Sequence, residues 1–371
     1  MANIYFRTNK KWKSTKVILL NADESVRDSK SLVRCDADGD MSFDFDTEKY
    51  DHLQFENEKD EKTSKIYPGK LSIGIEYKHN EKLDRELTYL FSKEVNKTGR
   101  VDNYILKDEK NLAHREDLSK KISVFVPSTY NDTTPHDILY FFDAQNLFGS
   151  AGDYTEDGDP YGGWQLDLIL SEIHRQYEKN IIVVAIDNAD KYRAQELFMN
   201  PAEFGELSPL ATTSDEDNSK GYLEGLDDFI KETLHPFIKQ KYCVSEDNMG
   251  VGGASMGGIA AFYCGLREYG VYKYVLSYSP AYALYEMSAY ENWFSNKDFN
   301  ENSDVLPKIH IYCGEGDPLE RLLVGASKDM KSLLVKYGYP EVKIFETYDD
   351  QKPHNEESWR LILGESFDKL L

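Results

Sequence analysis

Positive charge and cysteine are both scarce in this chain, and each scarcity removes a class of function. Lys and Arg total 44 against 66 Asp and Glu, a formal charge of −22 at pH 7 over 371 residues. Phosphate binding draws on clustered Lys and Arg, so no nucleic-acid partner is expected. The basic patch at 10–16 reads as a solvated face. Cys35, Cys243, Cys264 and Cys313 form no C-x-x-C pair or spaced framework, which suits a reducing compartment. Apolar runs of membrane-spanning length are also missing, so no membrane partner is expected. The opening Met-Ala-Asn-Ile-Tyr-Phe-Arg lacks the apolar h-region of a secretory leader. The expectation is a cytoplasmic protein, or a secreted one if a leader has already been removed. The eight histidines show no metal-ligand pairing, and nothing calls for a metal or organic cofactor. Internal repeats and low-complexity tracts are lacking as well.

What is present is enough for two cores. Apolar residues make up 40% of the chain, so the charge excess does not signal disorder. The length suits a small domain followed by an α/β domain.

The most informative stretch is Gly253-Ala-Ser255-Met-Gly257. A given Ser has Gly at both of these flanks only about 0.5% of the time, so the pentapeptide alone is weak. Its setting strengthens it. Asp247 to Gly253 reads as a short strand, and Gly258 to Arg267 as a helix with a small-residue face. A strand, a sharp turn on Ser255 and a helix make a nucleophile elbow, which exposes the hydroxyl at the top of a sheet. A serine hydroxyl needs a base, and the base an orienting acid. In α/β-hydrolases these follow in the order Ser, Asp or Glu, His, each after a later strand. Lys308–Cys313 reads as such a strand, and the turn after it presents Asp317, with Glu315 and Glu320 close enough to compete. Glu341–Tyr348 reads as the next strand, and the loop from Asp349 delivers His354. His310 lies mid-strand and reads as a packed core residue; His235 precedes Pro236 near a helix end.

The region 98–371 resembles the esterase family that includes enterochelin esterases, S-formylglutathione hydrolases, feruloyl and acetyl-xylan esterases and mycolyltransferases. Asp137 to Phe148 is similar to its strand ending in a D-G-Q-N-L-F-like loop, with Ala144 where the family usually has Gly. Gly163-Trp164, Ile181 to Asn188 with Arg193 and Glu196, the helix Tyr222–Tyr242, and His354-Asn-Glu-Glu-Ser-Trp359 resemble further family segments. The resemblance implies a three-layer α/β-hydrolase domain. It implies Ser255, His354 and Asp317 as the triad, and an oxyanion hole from the Met256 N–H with one near Ala144 or Gln145. Trp164, Asn188, Arg193, Tyr278 and Tyr282 are the expected substrate contacts. Tyrosines beside a catalytic serine suit a sugar or aryl group. Acidic residues at 153–159 and 203–217 argue against an anionic substrate. The expected function is a serine carboxylesterase on a carbohydrate-linked or aryl ester, of acetyl or feruloyl type. A siderophore esterase and an acyltransferase are the next readings. A glucan-binding protein with an inactive hydrolase scaffold is the reading from another class.

Residues 1–97 lack those motifs. Ile4–Phe6, Lys16–Leu20, Met41–Phe45 and His52–Phe55 are short strand-like runs between polar turns, the pattern of a small all-β sandwich. Details of it resemble bacterial starch-binding modules, which implies an α-glucan partner held by Trp12, with Asn57 and Lys62 as weaker contacts. Residues 71–97 complete the sandwich or link it to the second domain.

Overall fold

The computed structural model describes residues 1–8, 12–33, 40–92, 98–148, 160–188, 190–211 and 220–371. The first seven strands are β1 (Ala2–Thr8), β2 (Thr15–Leu20), β3 (Arg27–Leu32), β4 (Met41–Phe45), β5 (His52–Asn57), β6 (Gly74–Asn80) and β7 (Arg85–Phe91), with buried and less buried residues alternating most clearly in β1 and β4. They form a four-stranded sheet in the order β4-β1-β6-β7 and a three-stranded sheet β3-β2-β5. Ile4 and Phe6 from the first sheet meet Val17 and Phe55 from the second, and the Phe6 and Phe55 rings stack at 3.9 Å. This is the expected sandwich, with β6 and β7 drawn from the segment after residue 71.

The large sheet follows: β8 (Gly99–Lys107), β9 (Ser119–Pro127), β10 (His136–Phe142), β11 (Ile181–Ile186), β12 (Val244–Ala254), β13 (Tyr274–Tyr278), β14 (Lys308–Gly314) and β15 (Ile344–Asp349). Its order is β15-β14-β13-β12-β10-β11-β9-β8. The six strands from β15 to β11 are parallel, and β9 and β8 close one edge antiparallel. Strands covered on both faces read as continuous apolar runs, as Ile181–Ile186 does, with every residue buried. Helices Met256–Arg267, Met287–Ser295 and Pro318–Lys336 pack into one apolar core. Helices Leu166–Tyr177 and Leu363–Leu370 belong to a second core, which runs on without a break into the sandwich. This is the three-layer α/β-hydrolase architecture with an added β domain.

Two expected elements differ in detail. The helix Tyr222–Tyr242 is a helix Leu223–Phe229, a π-turn Ile230–Leu234 and a helix His235–Lys241. Pro236 cannot donate to the preceding turn, and the wider turn absorbs its ring. Glu341–Lys343 forms a 3₁₀ turn ahead of β15, because Pro340 fixes the chain just before it.

Candidate active site

β12 ends at Ala254 and the helix Met256–Arg267 begins one residue later, which leaves Ser255 alone to make the turn. Its φ of 57° and ψ of −119° are strained for a residue with a Cβ. The surroundings fix it there. The Ser255 N–H donates to Tyr278 O at 2.9 Å, and its carbonyl accepts from Ala281 N at 3.1 Å and Ile259 N at 3.2 Å. A Cβ on Gly253 would lie 2.3 Å from Gly257 O, so the two glycines of the motif touch across the turn. β12 is buried at its end, and Ser255 and Met256 emerge half-exposed at the C-terminal edge of the sheet.

His354 reaches the same edge on the loop after β15. Here the structure corrects the expected acid. His354 Nδ1 lies 2.8 Å from Glu320 Oε1, not on the Asp317 carboxylate. Glu320 is fully buried, and its other oxygen accepts from Gly314 N at 2.9 Å. Asp317 is spent on backbone. One oxygen caps the helix Pro318–Lys336 by accepting from Glu320 N at 2.8 Å, and the other accepts from His354 N at 2.8 Å. Burial would raise the Asp317 carboxyl, and these N–H donors outweigh it and hold it below its ordinary value. An Asp followed by Pro and, three residues on, by Glu is a helix-start signature, and that pattern would have marked Asp317 as the cap. Glu320, in the first turn, is then the carboxylate that faces back over the sheet edge.

The loop after β10 faces the elbow. Asp143 there has φ 58°, and Arg193 grips its carboxylate with Nε at 2.8 and 3.0 Å and with Nη2. Arg193 Nη1 also lies 3.3 Å from Met256 Sδ, so one guanidinium joins the loop to the residue after Ser255. Arg193 was expected to contact substrate; the structure gives it this bracing contact. Its short helix is anchored by buried Glu196, which accepts from His114 at 2.9 Å, Arg115 at 3.1 Å and Lys120. Burial would raise the Glu196 carboxyl; Lys120, His114 and Arg115 outweigh it and hold it at about 2. A second correction falls on Ala144. Its N–H donates to Ile186 O at 3.3 Å and is turned into the sheet, while Gln145 after it is exposed.

Other expected contacts are interior. Trp164 is buried, stacked on Trp359 at 5.2 Å. Tyr278 and Tyr282 are fully buried, with their hydroxyls on Ser366 and Ser277. All three were expected to meet substrate, and they are core instead; an aromatic residue next to a loop gives no sequence signal of its burial. Asn188 sits half-buried just past β11. His310 is a core residue between Ser366 and Thr347, as expected, and burial pushes its pKa down. The expected acidic residues Asp153, Glu156, Asp157, Asp159, Asp215, Glu216 and Asp217 lie outside the described residues, as does Cys35. In the sandwich, Trp12 is half-buried between Phe6 and Tyr77, with ring centroids 5.6 Å from each. Asn57 is buried and closes a turn by accepting from Lys59 N and Glu61 N, and Lys62 pairs with Glu56 at 3.2 Å. These three were expected to hold a glucan, and each is engaged in internal structure. Among the described residues, the acidic cluster Asp227, Asp228 and Glu268 is paired with Lys231 and Arg267.

Two residues before His354, Lys352 is buried, and its Nζ has no hydrogen-bond partner among the described residues. Burial lowers its pKa to about 8, against a partial pull upward from Asp349. Below pH 8 folded and unfolded chains both carry the proton, and the folded state bears the full burial cost. Between pH 8 and 10.5 only the unfolded chain is protonated, so stability from this group rises with pH. Lys352→Met should therefore stabilise the fold at pH 7 by roughly 2–4 kcal/mol. Urea unfolding of both proteins should show the gap closing between pH 8 and 10. A gap constant over that range would show that burial of the charge is not its cause.

A doubly covered parallel sheet with a strained serine between its central strand and a following helix, and a histidine–carboxylate pair on the next strand ends, defines an α/β-hydrolase. The Esterase family model matches residues 116–366, and the chain belongs to that family of ester-hydrolysing enzymes. No curated protein matches the sequence. Among solved structures, the enterobactin esterase FES from Shigella flexneri is similar over 99% of this chain and 92% of its own, at TM-score 0.52 and 15% identity. The siderophore hydrolase EstA from Aspergillus nidulans is similar over 75% of this chain and 95% of its own, at TM-score 0.53 and 17% identity. A ferulic acid esterase is similar over 73% of this chain and 98% of its own, at TM-score 0.51 and 15% identity. At these identities the likeness is one of fold.

Proposed function

We propose that the protein is a serine carboxylesterase in which Ser255 attacks the ester carbonyl and His354 takes its proton. Glu320 holds the imidazole with its proton on Nδ1, so that Nε2 is free to act as base. The N–H groups of Met256 and Gln145 receive the developing oxyanion. His354 then returns the proton to the leaving alcohol, and water resolves the acyl-enzyme by the reverse path. The observation that carries this reading is the contact of His354 with the buried Glu320 at the sheet edge where the strained Ser255 also emerges.

The preferred substrate is an ester bearing an aryl group, as a feruloyl ester does, or an acyl decoration of a carbohydrate. A second reading, a siderophore ester, is favoured by the likeness to an enterobactin esterase over nearly the whole chain, β domain included. The test is a substrate panel: p-nitrophenyl acetate and butyrate, methyl ferulate, and enterobactin. Turnover of the small aryl esters is expected, and the preference between ferulate and enterobactin separates the two readings. Failure to hydrolyse any of them would overturn the esterase assignment. A sugar acceptor that captures the acyl group in competition with water would make the enzyme a transferase.

A further inference from the structure

The β-sandwich does more than cover one face of the hydrolase domain; it holds the segment that carries His354 from both directions, by side chains before it and mainly by backbone after it. Before the histidine, Lys65 Nζ donates to Asp350 Oδ1 at 2.7 Å, and Gln54 Nε2 donates to Gln351 Oε1 at 3.1 Å. After it, Glu357 accepts from Thr88 N at 2.8 Å and from Ser64 Oγ at 3.2 Å. Arg360, almost wholly buried, donates Nε and Nη2 to Thr88 O at 2.9 and 2.7 Å. One turn further, Tyr67 N donates to Leu361 O at 3.0 Å and Tyr67 O accepts from Glu365 N at 3.2 Å. Backbones come this close because Gly69 and Gly364 face each other; a Cβ on Gly364 would lie 2.5 Å from Pro68 O.

The hydrolase domain grips the same loop from its other side, by backbone. Glu315 N donates to Asp349 O at 2.7 Å, Gly316 N to Lys352 O at 2.8 Å, and His354 N to Asp317 at 2.8 Å. Those ties fix residues 349, 352 and 354 and leave the side chains of Asp350 and Gln351 to the sandwich. Lys65 meets Asp350 at the edge of a cleft of about 460 Å³ between the domains, lined also by His52, Tyr67, Glu365 and Lys369. Close apolar packing does not fill that cleft, so the polar side chains join the domains there. Lys65 is buried, with a second bond to Glu24 at 2.6 Å, and is therefore held in place to receive Asp350. The bond is charge-assisted and its donor is buried, while the Asp350 carboxylate faces solvent.

We infer that the sandwich is a positioning domain for the catalytic base, acting through Lys65 on Asp350 and Gln54 on Gln351. Displacing a reacting group by about 1 Å costs on the order of 10²-fold in rate, so a loop held by a few polar ties is a sensitive place to act. The inference rests on His354 as the base. It assigns the N-terminal domain a role in the esterase reaction in place of a separate ligand.

The test is kinetic, on the full chain with p-nitrophenyl acetate. Lys65→Met and Gln54→Leu should each lower kcat about tenfold with KM within twofold, at temperatures well below the unfolding midpoint of each variant. Asp350→Asn, at an exposed carboxylate, keeps the test open if Lys65→Met does not fold. The pair Lys65→Met and Asp350→Asn should be non-additive in kcat, because the two residues form one contact. Unchanged kcat in Asp350→Asn and Gln54→Leu, or a fall explained by partial unfolding, would overturn the inference while leaving the wild-type esterase intact. Absence of wild-type turnover would instead overturn the reaction itself.

Discussion

Ser255→Ala should lower kcat by about 10⁴–10⁶-fold and leave the fold intact. The residue is half-exposed and makes its fixed hydrogen bonds through its backbone, so removing Oγ leaves the turn in place. Alanine has a Cβ as serine does, so the strain at φ 57° is carried over unchanged. His354→Ala should cost a similar factor. The double variant should be little worse than either single one, because nucleophile and base act as a unit and the residual rate comes from binding and the oxyanion donors. Additive losses in the double variant would show that the two residues act in separate steps.

The second large effect separates two carboxylates that lie three residues apart. Glu320→Gln should lower kcat by about 10³–10⁴-fold with little change in KM. The reason is tautomeric. Gly314 N–H can only donate, so the amide oxygen of the new Gln turns toward it and the amide NH₂ faces His354 Nδ1. That arrangement favours the proton on Nε2, and an imidazole protonated there cannot accept one from Ser255. Asp317→Asn should be mild, below about tenfold. Asn is as good a helix cap as Asp, and its oxygen can serve either the Glu320 or the His354 N–H. The reverse pattern, a severe Asp317→Asn and a mild Glu320→Gln, would restore Asp317 as the acid.

The contrast between these residues shows what a sequence discloses. The placements of Ser255 and His354 were legible because each is tied to local backbone: a tight turn that only small flanks allow, and a loop after a strand. The carboxylate that meets His354 was not, because that depends on which of two nearby carboxylates the helix start consumes. Asp317 sits where the strand order projects an acid, yet a helix N-terminus with Pro at its first position captures the nearer side chain. Tyr278 and Tyr282 failed for another reason. Tyr278 ends a core strand and Tyr282 follows it, and the two are buried in different cores, a tertiary event with no local signature. Of the parallel strands, β10 and β11 announced themselves as apolar runs. β3, by contrast, is almost wholly exposed and carries no alternation to find. The likeness of the sandwich to a starch-binding module drew on Trp12, Asn57 and Lys62, residues that the fold uses for packing, a turn and an ion pair.

The central claim is that Ser255 is an activated nucleophile. It is tested most directly by treating the protein with diisopropyl fluorophosphate and mapping the adduct by peptide mass spectrometry. One equivalent on the peptide containing Ser255, formed with parallel loss of esterase activity and formed much more slowly in Glu320→Gln, is the predicted result. Activity that survives treatment, or loss of activity with the label on another residue, would contradict it.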